Sequence, residues 1–154
     1  MDAKEYLESY AALKMEVRMN EERIFEVFNE TQIPAIALGE GSGRTPVKDR
    51  QEKATIYYIE TKDRLQPIIE ANKTKMRKIE AAIDSLKDPQ HREVLRIRYT
   101  DTVGWRPLKW RDVAMRMYGD DEDKDLHHIQ RLHREALRSF ADVFVYLDLN
   151  PKDS

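Results

Sequence analysis

The chain has 154 residues, with 27 Lys and Arg against 29 Asp and Glu, four His and no Cys. Without Cys there is no disulfide scaffold, thiolate metal site or Cys nucleophile, and no apolar run approaches the roughly 20 residues needed to cross a bilayer. Only five Gly and six Pro in a chain that is 36% charged point to an all-α fold; the opening Met-Asp-Ala-Lys-Glu lacks the basic flank and apolar block of a secretion signal, so a cytoplasmic protein is expected.

Residues 2–30 read as one helix. Tyr6, Tyr10, Leu13, Val17, Asn20, Ile24 and Val27 step by alternating fours and threes, the seam of a coiled coil. The faces between are charged, so the stripe needs a partner. Residues 31–47, with Gly39, Gly41, Gly43 and Pro46, break the pattern and read as a long mobile loop; its apolar start, Ile33 to Leu38, is a candidate to dock on the helices.

Helicity resumes near Lys48 and is expected to reach Asp88. Leu65, Ile69, Asn72, Met76, Ile79, Ile83 and Leu86 repeat the same steps, and Pro67 is expected to kink this helix. Two seams of equal length, each with one Asn, suggest an antiparallel helical hairpin over 1–88. Asn20 and Asn72 should then lie close together across the pair and fix its register, since a buried amide costs stability unless it is paired.

Asp88-Pro89 should end that helix. Three shorter helices follow in a second domain, 89–148, at about 89–99, 108–118 and 123–146, before a short tail at 149–154. Asp123 or Asp125 would cap the last helix. Charge is uneven here: residues 89–140 carry 11 basic and nine acidic residues and all four His, and Asp120 to Asp125 alone hold five of those nine acids. Outside that acidic run the segment is basic, the distribution expected of a protein that meets polyanions.

Enzymatic motifs are missing. There is no His-Glu-x-x-His, no Gly-rich phosphate loop and no Gly-x-Ser-x-Gly. His127, His128 and His133 are not spaced to place two imidazoles on one helix face, and they read as polar surface residues rather than metal ligands. No catalysis, no cofactor and no metal are expected.

The informative stretch is 86–140. Val94, Leu95 and Ile97 to Tyr99 supply a supporting helix. Trp110, Val113, Ala114 and Met117 give a first helix whose Ala permits close approach, and Ile129, Leu132, Ala136 and Leu137 the buried side of a second. The other side of that second helix presents His127, His128, Gln130, Arg131 and Arg134, donors and cations suited to base edges and phosphates. Trp110 reads as core, and Trp105 as a loop anchor ahead of the alternative of a partner contact. Phe140, Phe144, Tyr146 and Leu147 are left to pack on the N-terminal helices or on a second copy.

Val94-Leu95-Arg96-Ile97-Arg98-Tyr99, then Trp110 to Ala114, then Arg131-Leu132-His133-Arg134-Glu135-Ala136-Leu137 resemble region 4 of bacterial sigma factors. More closely, they resemble small phage-encoded late-transcription regulators of the ArpU/RinA type. The resemblance covers about a third of the chain. It implies a sigma-region-4-like helix-turn-helix and a sequence-specific transcriptional regulator, a phage or prophage late-gene activator at work in a bacterial host cell. His127, His128 and Arg131 would then read bases, while Lys109, Arg111, Arg116, Gln130, Arg134 and Arg138 contact the DNA backbone. Double-stranded DNA is the implied partner, with RNA polymerase and a second copy of the chain as further candidates and no membrane. Two insertions of about five residues, one of them the acidic run, depart from the pattern. The alternative is a non-enzymatic phage assembly or DNA-packaging adaptor built on the same motif; a sigma-like polymerase subunit fragment is a second.

Overall fold

The computed structural model describes residues 2–32 and 47–148. Among them every regular element is helical: α1 Ala3–Glu30, α2 Val47–Asp84, α3 Pro89–Leu95 with a π-helical turn over Arg96–Thr100, α4 Trp110–Tyr118 and α5 Asp123–Asp148. The all-α expectation is met. No helix among the described residues is long and apolar enough to cross a membrane. The expected 31–47 loop lies almost wholly outside the described residues, as does the 149–154 tail.

The described chain forms two compact units, and the division does not fall at residue 88. One unit joins residues 1–15 to 73–154; the other is 16–72. Both long helices therefore contribute to both units. Leu7 and Tyr10 of α1 and Ile79, Ala82, Ile83 and Leu86 at the end of α2 share one core with Val94, Leu95, Ile97, Tyr99, Val113, Ala114, Ile129, Leu132, Ala136 and Phe140. Tyr10, Val17, Val27, Leu65, Ile69, Asn72, Ile79, Ile83 and Leu86 of the two seams are buried and Tyr6, Leu13, Asn20, Ile24 and Met76 half-buried, and the seams serve two cores.

Local chemistry sets the boundaries of the larger unit. α2 ends at Asp84, short of the expected Asp88, and Arg92 closes it by donating from Nη1 to the Leu86 carbonyl at 2.6 Å. Asp88 instead starts α3, accepting from the Gln90 N–H at 2.8 Å with Pro89 in the first turn, where a missing N–H costs nothing. The π turn is recorded by the Asp101 N–H bonding back to the Arg96 carbonyl at 3.0 Å. Lys14 satisfies its exit, donating to the carbonyls of Thr100 and Thr102 at 3.1 and 2.9 Å. This wider turn puts Ile97, Tyr99 and Thr100 all inside. The loop after it is held by Thr102 Oγ1 on the Arg106 carbonyl at 2.5 Å and by the Leu108 N–H on the Arg98 carbonyl at 2.8 Å. Trp105 is 54% exposed, so it does not anchor the loop.

α4 ends on Gly119, whose N–H bonds to the Met115 carbonyl and whose φ is 79°; that left-handed conformation is one a side chain resists. α5 then begins with the Leu126 N–H on the Glu122 carbonyl. Asp123 and Asp125 thus lie in its first turn rather than capping it, favourably placed against the helix dipole. α5 packs most extensively on α3 and next on α4. Tyr6 of α1 meets the rings of Phe140 and Phe144 at centroid distances of 6.3 and 5.4 Å, so those two rings pack within the unit. Val145 and Tyr146 remain exposed.

In the smaller unit Val17, Val27, Leu65 and Ile69 are buried, Phe28 packs on Tyr58 at 5.4 Å, and Arg23 donates to the Tyr57 hydroxyl at 2.7 Å. The Asn20–Asn72 pairing is not made. Asn72 is buried, but its Nδ2 has no hydrogen-bond partner, so this amide is tolerated by the seam rather than locking it.

Candidate nucleic-acid interface

α5 presents two chemically opposed faces. Its inner face, Ile129, Leu132, His133, Ala136 and Phe140, is buried. Ala136 lies against the core that also holds Ala114 of α4, and two small residues let the helices approach closely. Its outer face carries Lys124, His127, His128, Gln130, Arg131 and Arg134, which together line one shallow depression. No carboxylate takes part in that lining. His127, Gln130, Arg131 and Arg134 are exposed and His128 is half-buried.

Five of the nine residues expected at the site thus converge on one surface: His127, His128, Arg131, Gln130 and Arg134. Arg138 is exposed further along the same helix, and Lys109 and Arg111 are exposed at the start of α4; none of the three lines the depression. Arg116 is already engaged, 3.8 Å from an Asp101 carboxylate that Arg96 also holds at 3.1 Å. An exposed pair of this kind is worth little and can be exchanged for another anion. Lys124 is the lining residue that sequence reasoning missed. Its spacing of three, seven and ten from His127, Arg131 and Arg134 was the available signal, hidden by the acids around it.

Two side chains tie the outer face to the fold. The His128 ring lies 5.8 Å from that of Tyr118, the last residue of α4, and its Nδ1 is 3.1 Å from Arg131 Nη2. Beneath, His133 is not the surface residue expected but is buried, with Nε2 2.7 Å from the Tyr99 hydroxyl and its ring edge-on to Trp110 at 4.6 Å. Burial, followed by the charges of Arg98, Lys4 and Arg134, pushes the His133 pKa down to about 4. Burial pushes the Tyr99 phenol up to about 12. Both groups are therefore neutral at pH 7, and the contact is an uncharged hydrogen bond. Arg98 stacks over Trp110 at 4.2 Å and donates to the Leu108 carbonyl. Trp110 is thus clamped between Arg98 and His133, under α5.

The acidic turn stands at the head of α5. Carboxylate oxygens of Asp120, Glu122 and Asp125 lie within 4.8 Å of one another. A hydrogen bond between Asp120 and Asp125 holds Asp120 below and Asp125 above the ordinary carboxylate range. Glu122 pairs with Lys124 at 3.7 Å, so the acidic turn and the basic face meet at one residue.

Physically, the outer face of α5 is a stripe of hydrogen-bond donors on a helix braced from behind by an apolar core. Such a face can donate to the acceptors of a groove. Comparison with protein families, with curated proteins and with solved structures finds no match for this chain.

Proposed function

We propose that this chain is a sequence-specific DNA-binding regulator of transcription in which α4 and α5 act as a helix-turn-helix and α5 enters the major groove. The observation that carries the reading is the convergence of Lys124, His127, Gln130, Arg131 and Arg134 on one carboxylate-free surface of α5, opposite the face buried on α3 and α4. Cations and amide donors in that pattern match phosphates and the acceptor edges of purines. Arg131, with His127 and His128 beside it, faces the bases. Gln130, Arg134 and Arg138 on α5, with Lys109, Arg111 and Arg116 on or beside α4, lie nearer the phosphates. The resemblance to sigma-factor region 4 and to phage late-gene activators supports the same assignment, with RNA polymerase and a second copy of the chain as further partners.

The test is selection of bound duplexes from a random pool at near-physiological salt. A defined consensus should emerge. Arg131→Ala should then relax preference at one position, whereas Arg116→Ala should weaken all duplexes alike and reduce the slope of log affinity against log salt by about one. Retention of duplex with no consensus points to the assembly or packaging adaptor. Equal, sequence-blind losses from both variants would contradict the roles given to the two arginines.

A further inference from the structure

We propose that His128 is a positioning residue that holds Arg131 as a reader of guanine. This inference rests on the DNA-binding reading above and adds to it a base and a device for selecting that base.

The geometry begins with the 3.1 Å contact between Arg131 Nη2 and His128 Nδ1. A guanidinium only donates. Nδ1 must therefore be the unprotonated, accepting nitrogen, and the imidazole is neutral with its hydrogen on Nε2. On its other side the imidazole packs against Tyr118 at 5.8 Å. The ring is half-buried while Arg131 is exposed. His128 is thus seated between the end of α4 and the Arg131 side chain, and it turns a flexible exposed arginine into one with a fixed contact to the scaffold.

That arrangement has a chemical consequence. With one Nη2 hydrogen committed to His128, the second Nη2 hydrogen remains in a fork of parallel donors with its neighbour, Nη1 or Nε. Guanine offers two acceptors, O6 and N7, on its major-groove edge and takes such a fork bidentately. Adenine offers a donor, N6, where guanine has O6. A guanidinium held in one orientation loses less rotamer freedom on binding than a free one. His128 therefore contributes to selectivity without touching the base. The titratable and charged groups around it are Tyr118 from α4 and, on α5, Lys124, His127, Arg131 and Arg134 in the same depression, with Asp125 one turn before.

The experiment uses the full chain and the duplex enriched from a random pool, prepared with guanine or with 7-deazaguanine, which lacks N7, at each enriched guanine in turn. Wild type should prefer guanine at one position by about five- to fiftyfold, and Arg131→Ala should abolish that preference. His128→Ala should lower the preference by about three- to tenfold while still binding duplex. His128→Asn, whose side-chain oxygen can stand where Nδ1 stands, should restore most of it. An unchanged preference in His128→Ala overturns the inference and leaves DNA binding intact. So does a His128→Asn variant no better than His128→Ala, because packing on Tyr118 would then be the whole role of the ring. Wild type that retains no duplex overturns the DNA-binding reading and this inference together.

Discussion

Replacing His133 with Gln should remove one specific component of the protein's acid sensitivity. His133 is buried, and its pKa falls from an ordinary 6.5 to about 4. The causes are desolvation first, then the positive charges of Arg98, Lys4 and Arg134. A depression of that size is worth about 3 kcal/mol of folding free energy. For a His lowered on folding, the unfolded chain binds the proton more readily than the folded one. The stability is thus fully present above pH 6.5, is lost as pH falls from 6.5 towards 4, and is gone below 4. Gln can donate to or accept from the Tyr99 hydroxyl in place of Nε2, but it does not titrate. Its lost ring contact with Trp110 offsets the whole curve by a constant.

The assay is denaturant unfolding of both proteins at closely spaced pH values from about 4 to about 7.5. Carboxylates that protonate in both proteins cancel in the difference. Wild-type stability minus His133→Gln stability should be flat at the upper end and fall by about 3 kcal/mol across the lower range. A difference that stays flat throughout would mean that His133 is solvated or charged in the folded protein, and the neutral Tyr99–His133 contact would have to be abandoned.

Asn72→Leu should raise stability by about 1–2 kcal/mol in the same unfolding assay, because the buried Nδ2 has no partner and a desolvated amide is costly; a loss of stability would show the amide to be satisfied. Gly119→Ala should lower stability by about 1 kcal/mol, since a Cβ there meets no atom within 4 Å and only the φ of 79° opposes it. Thermal denaturation reads that loss, and an unchanged midpoint would refute the left-handed cap.

Much of the fold was legible because helix burial has a strong period. Tyr10, Val17, Val27, Leu65, Ile69, Ile79 and Ile83 are buried where alternating threes and fours put them. Where the units divide was not legible, because an apolar seam looks the same whichever core it enters. Nothing in the run across Met15–Glu16 or Asn72–Lys73 changes at the point where one core gives way to the other. The π turn was invisible for a related reason: no residue in Arg96–Thr100 forbids an α-helix, and the wider turn goes with placing Tyr99 against His133, 34 residues away. His133 was misread by residue type. Its position, four after Ile129 and seven before Phe140, is that of a buried residue, and only the polarity of imidazole argued otherwise. On the candidate site, the outward cations of α5 followed from the inward aliphatics by elimination. The Arg116–Asp101 pair did not, because a loop of unpredictable path separates the two.

The acidic turn constrains how an anion could approach α5. A helix N-terminus is ordinarily where a phosphate settles, on free N–H groups and the positive end of the dipole. Here Asp120, Glu122 and Asp125 occupy that place, with carboxylate oxygens within 4.8 Å of one another. A duplex strand run against the first turn of α5 would meet carboxylates. Lys124 is the first cation on the outward face and is itself drawn to Glu122 at 3.7 Å. The surface open to phosphate therefore starts about a turn further on, at His127, and continues through Arg131 and Arg134 to Arg138. A helix reading DNA from its middle turns must lie more along the groove than one entering by its N-terminal tip. In the proposed complex that would set the depth at which Arg131 met a base edge, and it would place the acids at the edge of the contact, where they would repel a misregistered strand.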